Sequence, residues 1–200
     1  MQKIRLALLL PPLASLLLLV PARSQEKSGQ PDMAAMMAAA AKYTKPGENH
    51  ALLQRFLGDW DTETSFVMGG KRGTPEKGSS HGSWIMDGRW LRMEGTGKLM
   101  QRDLQSFWVM GYDNFKQSYV VTTVTSMDTA MLHSEGDVDP RTGALILYGT
   151  LDEYLTGEND KMVKYVFRFP DADTIVSEVH DLPIGETGTQ VVEIVFKRHK

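Results

Sequence analysis

From Trp60 to the end of the chain, polar and apolar residues alternate in short runs, and each run ends in a turn-forming stretch. An alternation with a period of two places successive side chains on opposite faces of a β-strand. Glycine, proline, asparagine and aspartate fill links such as MDGR, YDNFKQ and DPRTG. Strands are predicted near residues 60–69, 80–87, 89–98, 104–112, 118–127, 130–138, 144–151, 162–169, 174–181 and 189–198. About ten short strands with tight links favour a single antiparallel meander, and closing it into a barrel removes the unpaired edges.

The two terminal strands indicate how such a barrel closes. On the first strand, Trp60, Thr62, Thr64, Phe66 and Met68 share the uncharged face, which is expected to point inward. On the last strand, Arg198 is in phase with the apolar Val192, Ile194 and Phe196. If these strands pair antiparallel, Arg198 lies beside Trp60, and its guanidinium stacks on the indole in a cation–π contact worth roughly 1 to 2 kcal/mol when desolvated. The alternative is a solvated C-terminal arginine.

A short helical run precedes the first strand. Within Ala51 to Leu57, the apolar side chains fall on one face, and Asn49 is placed to cap the run. This helix is expected to plug one end of the barrel, so that residues 48–200 form the folded domain.

The first residues of the chain have the three-part pattern of a secretory signal peptide. Lys3 and Arg5 precede a leucine-rich run, and small residues at Ala22 and Ser24 follow, so cleavage is expected after Ser24. A membrane anchor is the alternative, but Pro11 and Pro12 break the run, and the leucine block is short for the ~20 residues that span a bilayer. Residues 25–47 form an Ala/Met-rich linker or a short helix, and a linker is favoured because isolated short helices are marginal in water.

Charge and cysteine content narrow the function classes. Removal of residues 1–24 lowers Lys plus Arg from 22 to 19 against 25 Asp plus Glu, which leaves a net charge of −6. A mildly acidic chain with no basic cluster argues against nucleic acid and anionic membranes as partners. The absence of cysteine excludes disulfides, thiolate metal sites and a cysteine nucleophile. We expect a soluble mature protein, periplasmic or secreted, without a membrane span; its oligomeric state is left open.

Several longer motifs carry a resemblance to a known family. PGENHALLQRFLGDW, DGRWL, GYDNFKQSYV, SMDT, DPRTG and VVEIVFKR occur in this order. On these motifs residues 46–200 resemble the bacterial domain-of-unknown-function family 1579, exported or cytosolic barrels similar to the lipocalin and calycin superfamily, with no established activity. His50, Gly58, Trp60 and Arg198 fit the family pattern and are expected to be structural. Where the family tends to show a tryptophan and then an aspartate on the fifth predicted strand, this chain has Thr123 and Thr125, with an acid instead at Asp128.

Candidate functional residues follow from the polar positions in these motifs. Six are expected to approach a ligand pocket or its rim: Arg89, Tyr112, Asp113, Ser126, Thr129 and Glu178. His180 resembles, at a distance, the haem-ligating histidine of nitrobindin-type barrels, although a surface or hydrogen-bonded histidine is the default. His133 and Glu135 form the one His-x-Glu pair, without a second histidine near it in sequence, so no metal site and no cofactor are predicted. No nucleophile elbow or converging carboxylate pair is evident, and catalysis is not expected.

Three functions of different classes remain open. The favoured one is binding of a small hydrophobic or amphipathic ligand inside the barrel. A barrel filled by its own side chains would instead be a packed scaffold, and an enzyme requires polar groups that converge inside. The volume of the interior cavity distinguishes these alternatives, with roughly 300 Å³ as the lower limit for a ligand pocket.

Overall fold

A computed structural model of the protein describes residues 32–153, 156–182 and 189–200. The predicted signal peptide and its cleavage site lie outside these residues. The alternating segments form strands within which side chains point in turn to the two faces of one sheet. These strands are β1 Gly58–Met68, β2 Lys71–Arg72, β3 Glu76–Ile85, β4 Trp90–Leu99, β5 Arg102–Asp113, β6 Ser118–Thr125, β7 Leu132–Val138, β8 Leu145–Glu153, β9 Glu158–Asp171, β10 Thr174–Asp181 and β11 Gln190–Arg198.

The strands form one closed antiparallel meander. From β3 to β11 each strand pairs with its neighbour in sequence, β3 pairs with β1, and β11 returns to pair with β1. Ten strands thus close the barrel, and the two-residue β2 extends only the end of β1. The closing seam runs from Trp60 opposite Arg198 to Phe66 opposite Val192. The predicted class of fold, a lipocalin-like barrel of about ten strands, is therefore confirmed.

Among the described residues, two helices precede the barrel. The first, α1, spans Met33–Thr44 and is capped by Asp32, whose side chain accepts a hydrogen bond from the Ala34 N–H. Residues 33–44 thus take the helical alternative rather than the favoured linker, and α1 buries none of its side chains. The second is a 3₁₀ helix over Glu48–Phe56. It begins after Gly47, so the predicted cap at Asn49 is wrong.

The 3₁₀ helix plugs one end of the barrel, which we call the closed end. Leu53 and Phe56 on this helix are fully buried and join the main core cluster together with Trp60. The Tyr119 hydroxyl on β6 donates a hydrogen bond to the Asn49 carbonyl at 2.8 Å and so ties the barrel wall to the plug. The opposite end, the mouth, carries the β4–β5 turn and the β6–β7 loop. Within the described residues, no helix has the length and apolar character needed to cross a membrane.

Candidate functional site

A cavity of about 280 Å³ lies inside the barrel and reaches the mouth. The inward faces of most strands line it, because these positions alternate with outward ones along each strand. Its volume is at the limit of roughly 300 Å³ given above for a ligand pocket, so the volume alone does not decide between a ligand pocket and a packed scaffold. A guest must therefore be small or extend out of the mouth. The apolar walls include Phe66, Leu104, Trp108, Val121, Leu132, Leu147, Phe167, Val179, Val192 and Ile194.

Polar groups are sparse in this cavity. Tyr165 on β9 lines it, and its hydroxyl has no hydrogen-bond partner among the described residues. Burial raises the pKa of Tyr165 to about 12, which keeps the phenol protonated and able to donate. The Trp108 ring packs edge-on against Phe167, with centroids 6.0 Å apart, in the same wall. Thr123 and Thr125 also line the cavity.

The charged residues among the described lining are all carboxylates. Asp128 follows β6, and Asp152 and Glu153 end β8, so these residues lie toward the mouth. Asp128 Oδ1 accepts a hydrogen bond from the Ala130 N–H at 2.9 Å, and Asp152 Oδ1 accepts one from the Asp160 N–H at 3.0 Å. Backbone contacts thus fix the position of both aspartates. The cavity is apolar inside and acidic where it meets the mouth.

At the closed end, Arg198 covers Trp60 as the phase of the two strands predicts. The guanidinium carbon lies 4.2 Å from the centroid of the indole, which is almost fully buried. Arg198 Nη1 also donates to the Leu57 carbonyl at 2.8 Å. Gly58 lies next to this arginine, and its φ is +93°. A Cβ at this position would lie only 3.2 Å from Arg198 Nη1. A glycine is needed there because the conformation is left-handed and the arginine is close.

His50 stabilises the start of the plug. Its Nδ1 accepts a hydrogen bond from the Gly47 N–H at 3.1 Å, and the ring is buried against Tyr112. Burial lowers the pKa of His50, so the imidazole is neutral and its Nδ1 is free to accept. His50 therefore takes over the capping that the sequence assigned to Asn49.

Three of the six predicted pocket residues lie at the closed end, away from the cavity. Arg89 donates to the carbonyls of Met86 and Thr44 and so holds α1 to the β3–β4 turn. Tyr112 packs against the Tyr119 ring at 4.9 Å and lines only a shallow depression beside α1. Asp113 accepts hydrogen bonds from the backbone N–H groups that follow it, chiefly that of Lys116, and these lower its pKa. The turn that makes Asp113 recognisable in sequence also accounts for its contacts.

The other three predicted residues are also outside the described lining. Ser126 and Thr129 belong to the β6–β7 loop at the mouth, where the Ser126 hydroxyl accepts a hydrogen bond from the Gln105 N–H. Glu178 lies on the outer wall, since Val179 beside it faces the cavity. Burial raises its pKa, but bonds from Arg168 at 3.0 Å and His180 at 3.1 Å outweigh this, and the net pKa is lowered.

The two histidines considered for metals or haem point away from the cavity. His180 shares the outer face with Glu178, whereas Val179 between them faces the cavity. His133 is exposed and hydrogen-bonds Thr122 at 3.0 Å on the outer wall. Among residues 32–153, 156–182 and 189–200, no group of three histidine or carboxylate side chains is arranged to hold a metal ion.

Part of the cavity lining can be predicted from the alternation of residues on β5 and β9. On β5, Leu104, Ser106, Trp108 and Met110 alternate with Gln105 and Phe107. On β9, Val163, Tyr165, Phe167 and Phe169 alternate with Lys164 and Arg168 in the same way. On β9 this alternation favours an inward Tyr165, whereas on β5 the apolar Phe107 and Val109 on the other face leave the phase of Trp108 open.

An apolar cavity inside a closed antiparallel meander, plugged at one end by a short helix, defines a lipocalin-like barrel. The model of a family described as "Protein of unknown function (DUF1579)" matches residues 45–198, and the chain belongs to this family. No curated protein matches the sequence at a significant level.

Two solved structures show a distant similarity to this chain. An S-type phycobiliprotein lyase from Guillardia theta is 11% identical, with 80% of this chain and 96% of that chain covered and a TM-score of 0.48. A redesigned β-barrel is 10% identical, with 74% and 95% covered and a TM-score of 0.37.

Proposed function

We propose that this protein is an exported, non-catalytic binding protein that holds a small hydrophobic or amphipathic molecule in the barrel cavity. The observation that carries the proposal is the apolar cavity of about 280 Å³, with aromatic walls and the Tyr165 hydroxyl, which has no hydrogen-bond partner among the described residues. Apolar walls with a few oriented polar groups are typical of small-molecule sites.

The arrangement of the interior favours binding over the two alternatives. A packed scaffold fills its interior, whereas here Trp60, Phe56 and Leu53 fill the closed end and a cavity remains on the side of the mouth. An enzyme needs a base or nucleophile beside the reacting group. The described groups deep in the cavity are hydroxyls, an indole and hydrocarbon, and the carboxylates lie toward the mouth.

Uptake of an uncharged, polarity-sensitive dye such as Nile red tests the pocket. Thr123 lines the cavity, and a Thr123→Trp substitution occupies that space with an indole. Val124 is the next residue on β6 and pairs with the exposed Phe107 on the outer wall, so Val124→Trp is the matched control. We expect dye affinity to fall at least about tenfold in Thr123→Trp and to stay unchanged in Val124→Trp.

Circular dichroism and urea unfolding of both variants separate loss of the cavity from loss of the fold. A folded wild-type protein that takes up no dye would contradict the pocket and favour the packed scaffold. Equal losses in the two tryptophan variants would place the dye on the surface.

Export is part of the same proposal and rests on the leader-like pattern around Lys3, Arg5 and Ser24. N-terminal sequencing of the protein purified from its own host is expected to begin at Gln25. A mature chain that begins at Met1 would refute export by cleavage.

A further inference from the structure

We propose that the guest is a cationic amphiphile, with an amine or quaternary ammonium head at the mouth and an apolar body inside the barrel. This inference rests on the proposed binding function and specifies its ligand class. It starts from the charge of the cavity lining, where the described residues include three carboxylates and neither lysine nor arginine.

Two of these carboxylates are held in place by the backbone. Asp128 and Asp152 each use one oxygen to accept a backbone N–H, at 2.9 Å and 3.0 Å. The second oxygen of each carboxylate has no hydrogen-bond partner among the described residues. Both residues line the cavity from its mouth side, on the β6–β7 loop and at the end of β8. An ammonium at this level would meet two ordered carboxylates, whereas a carboxylate or sulfate would be repelled.

Two lysines on the mouth side are engaged with other acids. Lys161 contacts Asp181 at 2.8 Å and Glu158 at 3.4 Å, and Lys98 lies 3.8 Å from Asp103. Neither lysine is among the cavity-lining residues. Among the described residues that line the cavity, the charge near the mouth is therefore negative.

The walls below the carboxylates suit the rest of such a molecule. Phe66, Trp108 and Phe167 line the cavity together with aliphatic side chains. Aromatic faces attract alkylammonium groups and also pack against hydrocarbon. A fatty acid would bury its tail equally well, but its head would lie beside Asp128 and Asp152. The acidic mouth thus selects the head group, and the apolar interior selects the tail.

Three surfactants with the same decyl tail test this inference: decyltrimethylammonium, decyl sulfate and decyl maltoside. Each is titrated below its critical micelle concentration, at low salt, by calorimetry and by displacement of Nile red. We expect the ammonium to bind at least about tenfold more tightly than the sulfate, with the uncharged maltoside between them. Added salt is expected to reduce the difference, because the mouth is partly exposed to solvent.

Asparagine variants test whether the two aspartates cause the preference for ammonium over sulfate. In Asp128→Asn and Asp152→Asn, and further in the double variant, the ammonium-to-sulfate ratio should fall toward one, with maltoside binding unchanged. Asp87→Asn is the control, since Asp87 is 96% exposed in the β3–β4 turn at the closed end.

The outcomes separate the two proposals. If maltoside binds but the three heads bind equally, or the sulfate binds best, the cationic guest is refuted and the pocket stands. If none of the three binds and the dye is not taken up, the binding function itself fails. A preference for ammonium that survives in the double variant would also overturn the assignment to Asp128 and Asp152.

Discussion

Replacing Arg198 with alanine tests the contact that closes the barrel. Arg198 is about one-third exposed, and its stacking on Trp60 at 4.2 Å contributes about 1 kcal/mol at such a site. The charged hydrogen bond to the Leu57 carbonyl contributes about 1.5 to 3 kcal/mol. The ion pair with the exposed Asp173 adds less than about 1 kcal/mol. These contributions share one side chain and overlap, so the expected loss of unfolding free energy is about 2 to 3 kcal/mol.

Urea unfolding followed by tryptophan emission measures this loss directly. Arg198→Lys keeps the charge but loses the planar face and the fork of donors, and an intermediate loss is expected. Arg141→Ala is the control, because Arg141 is another closed-end arginine, in the β7–β8 turn, with a side chain 89% exposed. If Arg198→Ala shifts the midpoint no more than Arg141→Ala does, the seam contact does not stabilise the fold and the reasoning from strand phase to energy fails.

Three further outcomes are expected. Gly82→Ala should lower the free energy of unfolding by about 3 kcal/mol or more, because the added Cβ would lie 2.0 Å from the Phe56 carbonyl oxygen. Gly47→Ala, whose Cβ would have its nearest neighbour at 3.9 Å, should lower it by less than about 1 kcal/mol, as measured by urea unfolding. The pKa of His50 is lowered in the folded protein, so just below pH 6.5 the unfolded chain binds more protons than the folded one, and the free energy of unfolding should fall as the pH drops through this window. His50→Asn keeps an acceptor for the Gly47 N–H, and its free energy of unfolding should depend less on pH. When the ultraviolet titration curve of Tyr165→Phe is subtracted from that of the wild type, the difference should show one phenol that ionises near pH 12. A difference curve centred near pH 10 would contradict the burial of Tyr165.

The fold followed from the sequence because strand alternation is a local signal. Ten segments could be read from the period of two and the turn residues between them, and the phase of Trp60 and Arg198 was enough to pair the ends. The strand β2 was missed because Lys71–Arg72 is a two-residue pairing inside a glycine-rich link. The 3₁₀ geometry of the plug was missed because its apolar spacing fits an α-helix equally well.

The site was harder to predict because a residue that stands out in a sequence motif need not line the cavity. Arg89 and Asp113 stand out in sequence since tight turns need particular side chains, and such turns lie at strand ends rather than in the barrel wall. On β10, apolar and polar residues occur on both faces. The alternation therefore did not show whether Val179 or Glu178 points inward, and only the register with β11 decides this. The acidic mouth combines residues from β8 and the β6–β7 loop, and only the closed barrel brings them to one cavity.

The seam between β1 and β11 also governs how the chain can be made. The contact of Arg198 with Leu57 joins residues 141 positions apart, whereas the other wall pairings join strands that follow each other closely. During synthesis the barrel wall can grow hairpin by hairpin, but one edge of β1 and one of β10 stay unpaired until the last strand leaves the ribosome. Unpaired edges recruit strands from other chains. The nine residues of β11 cover both edges at once, so a nascent chain halted just before Gln190 is the form most prone to aggregate.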